Sequence, residues 1–117
     1  MVLERIKRHF DFIEMREAPF KAFSHSFVLQ MRPNNLSTTR FGFTVSKKIS
    51  KLASQRNYLR RQLKEIVRLH PKLQQMYPSH DFVLIARKES LNRSYQELAK
   101  DFDYVVVHLH AEDSHEN

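Results

Sequence analysis

The chain of 117 residues contains no cysteine, and this absence excludes disulfides, thiolate catalysis and cysteine-based zinc sites. No apolar run approaches the roughly 18 residues that a membrane-spanning helix needs. The first ten residues, MVLERIKRHF, lack the apolar centre of a signal peptide. We therefore expect a cytoplasmic protein that has no membrane among its partners.

Motifs of known catalytic sites are also missing. Glycine occurs once, at Gly42, so there is no glycine-rich phosphate-binding loop, and neither HExxH nor GxSxG is present. Ser46 and Ser54 have no evident Ser–His–Asp setting. His108 and His110 would point in different directions on a helix, so they indicate a metal site only weakly. We predict that the protein has no catalytic residues and binds no metal or cofactor by itself.

Positive charge, in contrast, is concentrated in one stretch, from Arg40 to Arg68. This stretch has one acid, Glu65, and a net charge of +8, whereas the whole chain carries +7, so the remainder sums to −1. A sequence pI of about 9.9 indicates nucleic acid or an anionic membrane as the partner. The nine cations of the stretch are Arg40, Lys47, Lys48, Lys51, Arg56, Arg60, Arg61, Lys64 and Arg68.

The pattern of apolar residues predicts an α+β fold with helices packed against a sheet of about four strands. Length and composition indicate one domain, over residues 1–111, followed by a polar C-terminal tail over residues 112–117. Prolines at 19 and 71 end the first two helices, and a Ser94–Glu97 capping box begins the last. The predicted elements are a helix at Arg5–Ala18, strands at Phe20–Phe23, Phe27–Met31, Arg40–Ser46 and Phe82–Ala86, a helix at Leu52–His70, and a helix after Ser94.

The helix predicted at Leu52–His70 has an apolar stripe beside a basic arc. Leu59, Leu63, Ile66 and His70 form the stripe by helical spacing. A basic helix can be simply a solvated surface helix, but such helices usually interleave acids to form i,i+4 pairs. The basic arc has no interleaved acids, which favours phosphate binding. Its members are Arg56, Asn57, Arg60, Arg61, Lys64 and Arg68.

The segment Arg56–Glu65, RNYLRRQLKE, resembles the signature helix of the bacterial ribonuclease P protein component, whose hallmark is RNR followed by further basic residues. The resemblance covers nearly the whole chain. The other matching segments are RIKRHFDF at Arg5–Phe12, FVLQ at Phe27–Gln30, RFGFTVSKK at Arg40–Lys48 and DFVLIARK at Asp81–Lys88.

The sequence departs from the family pattern at several positions. Tyr58 stands where the second Arg of RNR is usual, and the linker between Lys48 and Ala53 is one residue longer than usual. Arg16 and Gln30 stand where the family often has aromatic residues, on the first helix and on the cleft strand.

The resemblance implies an α-β-β-β-α-β-α two-layer sandwich with a four-stranded sheet and a left-handed βαβ crossover (ribosomal-protein-S5-domain-2-like), against the usual right-handed preference. It also implies a catalytic RNA subunit that uses Mg²⁺ to cut the 5′ leader from precursor tRNA. The implied RNA-binding residues are Arg40, Lys47, Lys48, Lys51, Arg56, Asn57, Arg60, Arg61, Lys64 and Arg68. The implied leader-binding cleft contains Phe12, Arg16, Gln30, Thr44 and Ser46.

Two other classes of protein stay open on the residues alone. A non-catalytic RNA-binding module of ribosomal or architectural type would have the same basic surface but no effect on precursor cleavage. An autonomous basic nuclease would cut RNA without a partner, and the lack of clustered acids or histidines argues against it.

Overall fold

Five strands and three α-helices form the part of the chain that the computed structural model describes, which is residues 4–6, 14–15, 18–70 and 73–115. A short 3-10 helix, Lys88–Asn92, precedes the last helix. The strands are β1 (Glu4–Arg5), β2 (Phe20–Phe23), β3 (Phe27–Pro33), β4 (Arg40–Thr44) and β5 (His80–Ala86). The helices are α1 (Ala53–Leu69), α2 (Leu73–Met76) and α3 (Tyr95–His115).

The strands form a single mixed sheet in the order β1-β4-β5-β3-β2. Strands β1, β4 and β5 run parallel to one another, whereas β3 is antiparallel to both β5 and β2. Helix α1 connects the adjacent parallel strands β4 and β5, which makes the βαβ unit that the resemblance implied. The handedness of that crossover stays a prediction.

Alternation along the strands gives the sheet two different faces. On one face, the buried side chains of β3, β4 and β5 pack against α1 and α3 and form the main core. Phe41 and Phe82, which are partners in the register of β4 and β5, stack with ring centroids 4.9 Å apart. Leu59 and Leu63 of α1, and Leu98 and Phe102 of α3, close this core from the other side.

The opposite face of the sheet is covered in part by the N-terminal segment. Ile6, Met15 and Ala18 form a smaller buried cluster with Val83 of β5, and Ile85 packs against it. Because α1 and α3 occupy the first face, this second face is where a cleft between the N-terminal segment and the sheet can lie.

The α+β prediction is confirmed, with five strands in place of the expected four. The predicted start of the first helix at Arg5 is wrong, because Glu4 and Arg5 pair with β4 as a parallel strand and the Ile6 amide donates to the Phe41 carbonyl at 2.8 Å. This pairing satisfies the outer edge of β4, which no other described strand covers. Glu14 is helical, but the rest of the predicted helix over 7–13 and 16–17 lies outside the described residues.

The other predicted elements are found with shifted ends. The predicted strand at Arg40–Ser46 ends at Thr44, because the chain turns there and the Ile49 amide donates to the Ser46 carbonyl. The capping box forms as predicted: the Ser94 amide donates to Glu97 Oε1 at 2.9 Å and the Glu97 amide donates to Ser94 Oγ at 3.2 Å. Helix α3 continues to His115, into the predicted tail, and the division at residue 111 stays a prediction. Among the helices of the described segments, none is long and apolar enough to cross a membrane.

Candidate nucleic-acid interface

A basic surface extends from the loop after β4 along α1. Its exposed members are Lys47, Lys48, Lys51, Asn57, Arg61, Lys64 and Arg68, and Arg56 and Arg60 are half-buried beside them. The apolar stripe of α1 holds this surface outward, since Leu59, Leu63 and Ile66 are buried against the core, as the spacing predicts. The fourth predicted member of the stripe, His70, caps the helix and is largely buried edge-on against the Phe102 ring.

Two of the basic residues also hold the helix to the preceding loop. Arg56 Nη1 donates to the Ser50 carbonyl at 2.9 Å, and Arg60 Nη2 donates to the Val45 carbonyl at 3.1 Å. Arg60 Nη1 also donates to Asn57 Oδ1 at 2.8 Å. The guanidinium groups of Arg56 and Arg60 are therefore oriented by the protein itself before any ligand binds.

Arg68 is the member of the basic surface that pairs with an acid. Its Nη2 lies 2.8 Å from Glu65 Oε1, and both side chains are about half exposed. Glu65 is the single acid between Arg40 and Arg68, so it can neutralise one end of α1 but not the first turns or the loop. The density of positive charge is consequently greatest around the N-terminal half of α1.

Arg40, which the sequence groups with the basic surface, lies in a different place. It starts β4 and projects to the side of the sheet opposite its neighbour Phe41, which is in the core. Its Nε and Nη2 donate to the two carboxylate oxygens of Asp81, at 2.8 and 2.6 Å. Arg40 is therefore part of an intramolecular ion pair and is separated from the cations of α1.

Asp81 is fully buried and is shared by three side chains. Arg32 Nε donates to Asp81 Oδ2 at 3.2 Å, and Asn34 Nδ2 donates to Oδ1 at 2.9 Å, in addition to the bonds from Arg40. Burial opposes ionisation of the Asp81 carboxyl, but the hydrogen bonds from Arg40, Asn34 and Arg32 outweigh it and hold the pKa of Asp81 below its ordinary value. Arg32 also pairs with Glu14, which joins this network to the N-terminal segment.

The predicted leader-binding cleft is only partly within the described residues. Gln30 is buried on β3 and is the register partner of Val83, which in turn pairs with Gly42 of β4. Thr44 is half-buried at the end of β4, and Ser46 is exposed just beyond it. The structure thus places Gln30 and Thr44 on the second face of the sheet. Phe12 and Arg16 lie outside the described residues, so the roles of all five residues stay predictions.

Gly42 is buried in the middle of β4 and has the ordinary extended conformation of a strand. Because Gly42 has no side chain, there is space above the second face of the sheet beside Val83. This space can serve the packing of the protein or the close approach of a ligand backbone.

Nothing in the described segments resembles a metal centre: no three His, Asp or Glu side chains converge there. The residues that the sequence predicts for the site are mostly positively charged hydrogen-bond donors, and such side chains bind polyanions. The fold and the basic surface together define an α+β protein that binds nucleic acid.

Comparison with known proteins assigns the chain to a specific family within this class. The model of the ribonuclease P family matches residues 2–110. The chain is 35% identical to the ribonuclease P protein component of Paramagnetospirillum magneticum over 109 residues (85% of this chain, 77% of the relative), and 35% identical to that of Desulforamulus reducens over 100 residues (86% of each). The chain belongs to the ribonuclease P protein family, whose members are protein subunits of a ribonucleoprotein that acts in tRNA processing.

Solved structures agree with this assignment. The ribonuclease P protein of Staphylococcus aureus superposes with a TM-score of 0.75 at 25% identity, over 87% of this chain and 91% of that one. The protein from Thermotoga maritima superposes with a TM-score of 0.71 at 24% identity, over 85% and 91%, and shows the shared fold.

Sequence reasoning missed the role of Asp81. The sequence pattern shows Asp81 only as the residue directly before the predicted strand at Phe82–Ala86. Its partners Arg32 and Arg40 are 49 and 41 positions away, and only the strand order brings them together. The available signal was an acid directly before a fully apolar strand, which requires a cationic partner if it is buried.

Proposed function

We propose that the chain binds the RNA subunit of ribonuclease P through the basic surface and holds the 5′ leader of precursor tRNA in the cleft on the second face of the sheet. The observation that supports this most directly is the charge of α1 and its preceding loop. Five cations of this segment are exposed: Lys47, Lys48, Lys51, Arg61 and Lys64. The single acid of the segment, Glu65, lies near the C-terminal end of the helix, where it pairs with Arg68.

Such a surface favours structured RNA for an electrostatic reason. Each phosphate that a Lys or Arg neutralises releases condensed counterions, which stabilises the complex at low salt. Arg56 and Arg60 are pre-oriented by the Ser50 and Val45 carbonyls, so less side-chain entropy is lost when they meet a phosphate.

The cleft suits a single strand rather than a duplex. Its floor spans three strands and is uncharged, with Gly42 and Thr44 on β4, Val83 and Ile85 on β5, and Gln30 on β3. Ile6, Met15 and Ala18 cover Val83 in the middle of this floor, so a nucleotide chain can reach it at the partly exposed Thr44 and Ile85 end. The Arg32–Asp81–Arg40 network lies at the opposite end. We infer that the leader occupies the open end of this floor and that Phe12 and Arg16 also contact it, as the resemblance to the family implies.

We assign the bond cleavage to the RNA subunit, with Mg²⁺ held by that RNA. The protein then contributes affinity and position, not a reacting group, in keeping with its lack of a recognisable catalytic motif. A cytoplasmic location follows from this role, because precursor tRNA is processed where it is made.

The proposal is tested by multiple-turnover cleavage of precursor tRNA by the cognate RNA at low Mg²⁺, with and without the protein. We expect clear stimulation by the protein and no cleavage by the protein alone. A basic protein of similar size and net charge serves as the control. Equal stimulation by that control, or none by this chain, would overturn the proposal.

A further inference from the structure

A pocket of about 470 Å³ lies on a part of the molecule that the proposed interface does not use. It is formed where the end of β2 and the β2–β3 turn meet the end of β5 and the middle of α3. Its lining is Phe23, Ser24, His25, Arg87, Asp101 and Tyr104. The volume is within the range of pockets that hold small ligands.

Two aromatic rings of this pocket are about half exposed. Phe23 is 56% exposed and Tyr104 is 48% exposed, and both line the same site. Exposed aromatic side chains that share one concave site are typical of binding surfaces. Folding stability does not account for them, since neither ring gains the full benefit of burial.

The ring of Tyr104 is held in place on one side. His108, one turn later on α3, stacks on it at a centroid distance of 3.7 Å and an interplanar angle of 22°. His108 is itself fixed, since its Nδ1 lies 2.9 Å from the Tyr104 carbonyl. The pocket therefore contains a pre-oriented aromatic platform, which lowers the entropy lost on stacking with a ligand.

The polar groups of the pocket are also held in place by hydrogen bonds. They make the rim positively charged at Arg87 and the wall negatively charged at Asp101. Arg87 Nη1 donates to the Ser24 carbonyl at 3.1 Å and its Nε lies 3.9 Å from Glu89 Oε2, and these contacts hold the half-exposed guanidinium along the rim. Asp101 is 15% exposed and is held by Arg93 and by the Ser26 hydroxyl. A carboxylate in the wall repels phosphate, whereas the guanidinium at the rim attracts it.

We propose that this pocket binds one nucleotide of single-stranded RNA, with its base against Phe23 and Tyr104 and its phosphate at Arg87. A flat ring matches the two exposed aromatic side chains, and an anion at the rim matches Arg87. The site is additional to the basic surface and the leader cleft. The choice of RNA as the ligand rests on the proposed function, because a chain that assembles with RNA meets nucleotides at high local concentration.

The test uses the full chain labelled for NMR and titrated with adenosine 5′-monophosphate, with aromatic ¹H–¹³C signals and backbone amide signals as the readout. We expect saturable shifts at Phe23 and Tyr104. Phe23→Leu and Tyr104→Leu keep apolar bulk but remove the stacking surface, and each is expected to weaken binding about 5- to 150-fold. Arg87→Gln is expected to weaken the binding of adenosine 5′-monophosphate but not the binding of adenosine.

Tyr58→Leu is the matched control, since Tyr58 is an exposed aromatic residue on α1, outside the pocket. It should leave the shifts at Phe23 and Tyr104 unchanged. Shifts confined to α1, or shifts at Arg87 that inorganic phosphate reproduces without movement of the two rings, would overturn the pocket assignment. An aromatic peptide that binds while the nucleotide does not would also overturn it.

The cleavage assay keeps this inference separate from the proposed function. Stimulated cleavage without nucleotide shifts in the pocket would reject only the pocket. Nucleotide shifts in the pocket without stimulated cleavage would reject only the proposed function.

Discussion

Arg60 and Arg61 are adjacent in the sequence but have different surroundings in the structure. Arg60 is half-buried and bonded to the Val45 carbonyl and to Asn57, whereas Arg61 is exposed on the outer side of α1. A change at Arg60 therefore alters the junction between β4 and α1 as well as the charge. A change at Arg61 alters the charge with little effect on packing.

We expect Arg61→Ala to weaken RNA binding without destabilising the fold. The salt slope of log K should flatten by roughly 0.7–0.9 for one lost phosphate contact, and the free energy of unfolding should stay within about 0.5 kcal/mol, as for most surface substitutions. Arg60→Ala should weaken RNA binding and also lower the free energy of unfolding by about 1 kcal/mol, because it loses a hydrogen bond to the backbone.

Fluorescence anisotropy with the RNA subunit at several salt concentrations, and urea denaturation without RNA, measure the two effects. Arg60→Lys keeps the charge and serves as the control for the packing contribution. An equal loss of stability in Arg60→Ala and Arg61→Ala would contradict the distinction.

At the scale of the elements, three strands meet at Asp81. Arg32 of β3, Asp81 of β5 and Arg40 of β4 are register partners, so the two cations flank one carboxylate across the sheet. Arg32 extends this contact to Glu14. The network fixes one end of the sheet and its connection to the N-terminal segment.

We expect Asp81→Asn to destabilise the fold at neutral pH, because it removes the buried negative charge that Arg32 and Arg40 share. Removal of one partner of a buried ion pair costs roughly 3–5 kcal/mol, and the partial exposure of Arg32 and Arg40 places the loss at the lower end of that range. Urea denaturation at pH 7 measures it, with Glu89→Gln, at an exposed acid, as the control.

The difference in unfolding free energy between the native protein and Asp81→Asn should depend on pH. Asp81 has a pKa below its unfolded value of about 3.9, so its charge stabilises the fold above that pH, and this contribution is lost as pH falls through the lower, folded pKa. The difference in stability between the native protein and Asp81→Asn should therefore shrink below about pH 4. A difference that stays constant down to pH 2.5 would show that the charge of Asp81 is not its cause.

Local patterns in the sequence predict the elements, but not how strands pair. Helix α1, buried β5 and the Ser94–Glu97 cap follow from spacing within one short segment, and all three are present. Strand β1 depends on the open edge of β4, whose paired residues are 36 positions away. Arg40 lies apart from the basic surface because it pairs with Asp81. The concentration of cations along the sequence cannot show this separation in space.

The molecule as a whole has a strongly uneven distribution of charge. Residues 40–68 carry +8 and the remainder of the chain carries −1. The position of the charge, and not only its total, should therefore set RNA affinity and the speed of association. Lys64 of α1 and Lys100 of α3 allow a direct comparison, because both are exposed lysines on helices and only Lys64 belongs to the basic surface.

Lys64→Gln and Lys100→Gln both lower the net charge of the chain from +7 to +6. If the basic surface contacts the RNA, Lys64→Gln should reduce the salt slope of binding by roughly 0.7–0.9, whereas Lys100→Gln should leave it close to that of the native chain. Long-range attraction is screened beyond about 8 Å at physiological salt, so a charge on α3, outside the basic surface, should contribute little to the complex there. Anisotropy titrations with the RNA subunit between about 50 and 200 mM salt cover the range in which the slopes separate. Equal slopes for the two variants would mean that net charge alone attracts the RNA, and that α1 has no privileged contact with it.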